Sequence, residues 1–109
     1  MSSRRDPFTA LADPTRRAIL VLLRDEESLS AGSIAARFPR ISRPAVSKHL
    51  GVLRDAELVR VRETGREWRY TLDPRPLADI YENWFGQFES LWDDSLKQLK
   101  RAAEKPRDR

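Results

Sequence analysis

Apolar residues recur at helical spacing through the first half of the chain and alternate with polar ones in the middle. Ile19, Leu20, Leu22 and Leu23 fall on one face of a helix opened by Asp13-Pro14, with Arg16, Arg17 and Arg24 on its polar side. Asp is a good N-cap, and proline suits the first helical position because no N–H is needed there. Ahead of this helix, Phe8 and Leu11 predict a short amphipathic one; after it, Asp25-Glu26-Glu27-Ser28 reads as a polar loop. Ser30 caps a further helix carrying Ile34, Ala35 and Phe38, which stops at Pro39. These N-terminal helices occupy residues 7–38.

The next cap, Ser42, follows Pro39 closely, and Pro44 sits in the first turn of the helix it opens. Val46, Leu50 and Leu53 repeat at i, i+4 and i+7 and share a buried face; Arg43, Ser47, Lys48, Gly51 and Arg54 point elsewhere. Two helices joined so tightly, the second polar outside and apolar inside over residues 42–56, read as a helix-turn-helix. From Leu58 the period changes to two: Val59 and Val61 face one way, Arg60 and Arg62 the other. Thr64-Gly65-Arg66 is a turn, and Trp68, Tyr70 and Leu72 share a face of the return strand. This hairpin, residues 58–72, is a wing. Asp73-Pro74-Arg75-Pro76 breaks it, and a single long helix is expected over residues 76–101, spanning about 39 Å. The tail, residues 102–109, reads as frayed. The expected architecture is one domain over residues 1–109. It is mainly α with a β-hairpin wing, a winged helix-turn-helix in the order α-α-α-α-β-β-α, with the last helix for dimerisation.

That last assignment comes from the apolar stripe of the final segment. Tyr81, Trp84, Phe85, Phe88, Leu91, Trp92 and Leu96 offer more apolar surface than one small domain easily covers, so burial against a second copy is expected. At 109 residues, 35% charged and 39% hydrophobic, the chain affords one thin core, and short chains often gain stability from an oligomer interface. There is no cysteine and the only histidine is His49, which excludes disulfides, thiolate metal sites and a multi-histidine cage. No apolar run reaches the roughly 20 residues of a membrane span, and Met1 to Arg5 lack a signal-peptide stretch; no membrane partner and a cytoplasmic location are expected.

The net charge of +4 is concentrated. The window from Arg40 to Arg69 holds eight basic and four acidic residues, while the remainder balances. Such local basicity suits a polyanion, a solvated charged surface being the ordinary alternative. On the helix over 42–56, the N-terminal turn at Ser42, Arg43 and Pro44 presents backbone N–H groups and a positive dipole end to phosphate. Arg43, Ser47 and Lys48 are placed to reach base edges or phosphates in a major groove. His49 serves either as a phosphate donor or as a packed residue that seats the helix, and Arg54 meets phosphate. Arg60, Arg62, Arg66 and Arg69 lie on or near the hairpin, whose tip at Gly65 can approach a minor groove. No partnered nucleophile or general base and no glycine-rich phosphate loop is found, so an enzyme is excluded.

Three segments carry a family resemblance. Asp13-Pro14-Thr15-Arg16-Arg17-Ala18-Ile19-Leu20 resembles the opening helix of ArsR/SmtB-type winged-helix regulators. Ser42-Arg43-Pro44-Ala45-Val46-Ser47-Lys48-His49-Leu50 with Leu53-Arg54-Asp55-Ala56-Glu57-Leu58-Val59 is similar to their recognition helix, and Arg62 to Tyr70 to their wing. The resemblance implies a homodimeric, sequence-specific regulator of double-stranded DNA, most often a repressor of its own or a neighbouring operon. The first and last helices would form the interface, which adds Phe8 and Leu11 to the dimer residues. A two-fold symmetric operator with half-sites about 34–36 Å apart, or a multiple of that, is expected. Metal-sensing members carry paired cysteines in the helix before the recognition helix, or Asp and His on the last helix. Here residues 31–38 have neither Cys nor His, and Asp79, Glu82, Glu89, Asp93 and Asp94 have no histidine among them. The chain therefore resembles the branch without a metal site, and no cofactor is expected. Two other readings stay open: a small-molecule-responsive regulator with a pocket at the aromatic helix interface, its effector unknown, and a protein-interaction module with incidental polyanion binding.

Overall fold

The computed structural model describes residues 6–104. Its elements are α1 (Pro7–Leu11), α2 (Pro14–Asp25), β1 (Leu29–Ser30), α3 (Ala31–Ala36), α4 (Arg43–Asp55), β2 (Val59–Thr64), β3 (Glu67–Leu72), α5 (Arg75–Asn83) and, after a 3₁₀ turn over Phe85–Phe88, α6 (Glu89–Glu104). Packing divides them into two compact units, one up to Pro76 and one from Leu77 on, where one domain is expected from the sequence.

The expected caps form. Asp13 accepts from the Arg16 N–H at 3.1 Å, Ser30 Oγ from Ser33 N–H at 3.1 Å and Ser42 Oγ from Ala45 N–H at 3.1 Å, each supplying one of the acceptors a helix start lacks. In the first unit the apolar faces meet in one core. Ile19, Leu20 and Leu23 of α2, Ile34 of α3, Val46, Leu50 and Leu53 of α4 and Leu58, Val59 and Tyr70 beside and within the sheet are buried. The turn out of α4 is a Schellman motif: Leu58 N–H bonds Leu53 O at 3.0 Å and Glu57 N–H bonds Arg54 O at 2.9 Å. Glu57 takes the left-handed backbone, φ 62°, that this motif requires. The chain thereby turns directly from α4 into the wing.

β2 and β3 pair antiparallel from Val59↔Leu72 to Thr64↔Glu67. Gly65 has φ 61°, and Arg66 is outside the left-handed region, the pattern of a two-residue hairpin with glycine first. Leu29 and Ser30 add a third strand against Tyr70 and Arg69, giving the order β1-β3-β2. Two residues carry no alternation, so the sequence pattern does not predict this strand.

The second unit departs from expectation. The single helix expected over 76–101 is broken between Asn83 and Glu89, and helix runs on to Glu104, through the start of the expected tail; residues 105–109 lie outside the described ones. Gly86 weakens the helix at that point. The freed carbonyls find side chains instead: Gln87 Nε2 donates to Asn83 O and Trp84 O at 3.4 and 3.3 Å, and Trp92 Nε1 donates to Phe85 O at 3.2 Å. Trp84 meets Phe85 edge-on at 5.1 Å, and Phe85 meets Trp92 at 6.0 Å. No helix among the described residues is long and apolar enough to cross a membrane.

Candidate nucleic-acid interface

Burial sorts the residues of α4 into two sides. Val46, Leu50 and Leu53 are in the core, while Ser42, Arg43, Pro44, Ser47, Lys48 and Arg54 are exposed. The side chains of Arg43, Ser47 and Lys48 make no hydrogen bond or ion pair with another described residue. Arg43 lies back over the start of α3, where a Cβ on Gly32 would meet its Nη2 at 3.4 Å. In the wing, Arg62 and Arg66 are likewise exposed and unpaired among the described residues. Arg40, in the loop before α4, is exposed too, a basic residue of the same window that lies outside both the helix and the wing.

Four of the residues expected to contact DNA have partners within the protein. His49 is half-buried and bonded through Nδ1 to Arg16 Nη1 at 3.2 Å, an internal partner that suits a packed residue seating the helix. Arg69 is tied down by Ser28, whose carbonyl and hydroxyl accept from Nη2 at 2.9 and 3.0 Å, and by Glu67 at 3.1 Å. The register explains why: Arg62 stands directly opposite Arg69, and like charges in that position repel unless one is turned away. Arg54 lies over the Trp68 ring at 5.3 Å, a cation–π contact that braces the end of α4 against the wing. Trp68 continues the face of Tyr70 beyond the core and is 44% exposed, so this bracing occurs at the surface.

Arg60 pairs with Asp73. The Asp73 carboxylate, 5% exposed, accepts from Arg75 N, Nε and Nη2 at 3.1, 3.0 and 2.8 Å and from Arg60 Nε at 3.2 Å. The Arg75 side-chain bonds, against the opposing effect of burial and with further help from Arg75 N–H and Arg60, hold this carboxyl far below the usual carboxylate range. Asp13 is also lowered: desolvation pushes it up, but the lowering interactions, the Arg16 N–H first among them, more than offset that. Arg60 thus closes the base of the hairpin, leaving Arg62 and Arg66 nearer the tip as its unpaired cations. Among the described residues no three His, Asp or Glu side chains gather closely enough to hold a metal ion.

An exposed cationic helix face after a tight turn, followed by a hairpin with free arginines at its tip, is a surface for phosphate and base edges. A helix-turn-helix domain family matches residues 11–62. The chain is 39% identical over 89 residues to the transcriptional repressor SdpR of Bacillus subtilis, covering 82% of this chain and 96% of that one. It is 48% identical to the HTH-type transcriptional regulator Rv2034 of Mycobacterium tuberculosis, over 73% of this chain and 76% of the other. The fold matches the crystal structure of an ArsR family transcriptional regulator, RHA00566, with a TM-score of 0.68 and 31% identity, covering 79% and 86% of the two chains. The chain belongs to the ArsR/SmtB family.

As an ArsR/SmtB-family protein it is a DNA-binding transcriptional regulator of winged helix-turn-helix fold, and no enzyme. The unpaired state of Arg66 gives a direct expectation for its part in binding. Arg66→Ala should reduce the slope of log K against log salt by about one while leaving sequence preference intact. A changed preference at constant slope would instead place Arg66 on a base.

Proposed function

We infer that the chain is a homodimeric repressor in which two α4 helices and two wings read a two-fold symmetric operator in its own or a neighbouring operon. The observation that carries the dimer is the second unit, where no described residue of α5 or of the 3₁₀ turn is buried. Tyr81, Trp84, Phe85, Phe88, Leu91, Trp92, Leu96 and Leu99 are all exposed, far more apolar surface than a soluble monomer leaves uncovered. In the first unit Phe8 is 42% exposed and Leu11 half-buried, a smaller apolar patch on α1. Charge supports self-association as well. Glu89, Asp93 and Asp94 lie at the start of α6 and Lys97, Lys100 and Arg101 toward its end, so two α6 helices packed antiparallel set opposite signs together. Repression is favoured by the likeness to SdpR, itself named a repressor.

DNA contacts are assigned to Arg43, Ser47 and Lys48 of α4, with Ser42 and Pro44 at its phosphate-facing start, and to Arg62 and Arg66 of the wing. The test is fluorescence anisotropy with a duplex from immediately upstream of the coding sequence and a scrambled duplex, at two salt concentrations. A gap of about a thousandfold or more at physiological salt is expected. Equal and steeply salt-dependent binding to both would tell against an operator there. Arg43→Ala should relax preference at one position per half-site, costing about 1–3 kcal/mol per contact. Uniform weakening on every sequence would make Arg43 a phosphate contact.

One feature favours an added effector. Tyr81, Phe85, Gly86, Trp92 and Leu96 with Glu82, Glu89 and Asp93 line a groove of about 630 Å³ within the second unit. That is the size of a small-molecule site, and an occupant there would act on the same surface that pairs the protomers. A compound that quenches Trp92 and lowers operator affinity in parallel would establish this version.

A further inference from the structure

Arg16 projects from α2 and holds both neighbouring helices. Its Nε donates to Ala10 O at 2.7 Å and its Nη2 to Thr9 O at 3.1 Å, carbonyls at the end of α1 of which the second also takes the Ala12 N–H at 3.2 Å. From the same planar fork, Nη1 donates to His49 Nδ1 at 3.2 Å, on α4. A guanidinium has no lone pair to offer, so Nδ1 is the unprotonated ring nitrogen and the proton is on Nε2, which faces Asp13 Oδ2 at 3.9 Å. Asp13 is in turn the cap of α2, accepting from the Arg16 N–H. Arg17 adds a bond to Leu11 O at 2.8 Å. The His49 side chain is 20% exposed, and it is adjacent in sequence to Lys48, one of the free cations of α4.

We propose that Arg16 is a positioning residue for DNA reading: it locks the pose of α4 to that of α1 through His49, so that whatever holds α1 also aims the reading helix. Filling the space beside Leu50 needs only an apolar side chain. A histidine whose acceptor nitrogen is matched to a cation from another helix instead fixes direction and distance. Three acceptors lying in different directions are served by one rigid fork, and a lysine ammonium on a flexible stem cannot span them. Phe8 presents the outer side of α1 to solvent, so a partner seated on α1 is coupled to α4 by the same bonds. The proposal rests on α4 being the helix that reads DNA.

The test uses the full chain with Arg16→Lys, His49→Leu, His49→Asn and the Arg16→Lys/His49→Leu double variant. Asparagine places Oδ1 on the same branch as Nδ1, so it keeps an acceptor for Arg16; leucine keeps the bulk alone. Arg16→Lys and His49→Leu should each lower the ratio of operator to scrambled-duplex affinity about tenfold, His49→Asn should keep most of it, and the double variant should fall no further than either single. The histidine ¹⁵N spectrum should show Nδ1 as an unprotonated acceptor, and Arg16→Lys should shift it and speed amide exchange in α1 and α4 together. Additive losses, equal losses on both duplexes, or no rescue by asparagine would overturn the positioning role. Wild-type binding that does not separate the duplexes would tell against α4 as the reader. In that case unchanged exchange in α1 and α4 on Arg16→Lys overturns the clamp by itself.

Discussion

A Leu99→Glu chain is expected to sediment as a monomer and to bind the operator duplex roughly a hundredfold or more weaker than the wild type. Leu99 is 66% exposed and follows Trp92 and Leu96 at helical spacing on α6, so all three share one stripe. Linking two half-sites through a dimer makes the second binding event intramolecular, and losing the partner forfeits that gain even with every DNA contact intact. Glutamate is a good helix former, so α6 itself should persist. Trp84 is a poorer position for this test, because it packs on Phe85 and Phe88 and its loss would unsettle its own unit. Gln98→Glu adds the same charge on another side of the helix and should leave the dimer unchanged. A Leu99→Glu protein that remains dimeric at micromolar concentration would move the interface away from α6.

The second large effect belongs to Asp73. Asp73→Asn should destabilise the fold by about 1–3 kcal/mol, the range for losing hydrogen bonds to a charged group. The upper end is not expected, since the side chains of Arg60 and Arg75 are 63% and 73% exposed and water screens their charge. The pH dependence has a definite sign. The carboxyl titrates lower in the fold than in the unfolded chain, so its contribution is full above the ordinary carboxylate pKa of about 4 and fades as pH falls from there toward the folded value. The melting-temperature gap between wild type and Asp73→Asn should therefore be widest near neutrality and narrow by pH 3. A gap that stays constant would mean that the variant acts through packing and not through charge. Asp13 is also lowered, but it is common to both proteins and cancels from the comparison.

These two residues show how unevenly the molecule can be read. The stripe holding Leu99 is a periodic feature of adjacent sequence and was visible as such. Asp73 was legible only as a strand breaker; its role depends on Arg60, thirteen positions away, arriving at the same place across the hairpin. Of the basic residues assigned to DNA, Arg43, Lys48, Arg62 and Arg66 have no partner among the described residues, whereas His49, Arg54, Arg60 and Arg69 have partners within the protein. Nothing in the residue type or chain position of these arginines separates the two groups. The difference is made by neighbours such as Ser28, forty-one positions before Arg69.

What the sequence determined by itself is therefore local. Caps at Asp13, Ser30 and Ser42, the buried sides of α2 and α4, and the hairpin turning at Gly65 each depend on residues within a few positions of one another, where backbone geometry imposes a fixed period. The tertiary structure alone decided the two-residue strand β1, the Arg54–Trp68 brace and the bond from Arg16 to His49. In each of these a polar or aromatic group is satisfied by a partner the chain must fold to reach, and no periodicity records that meeting.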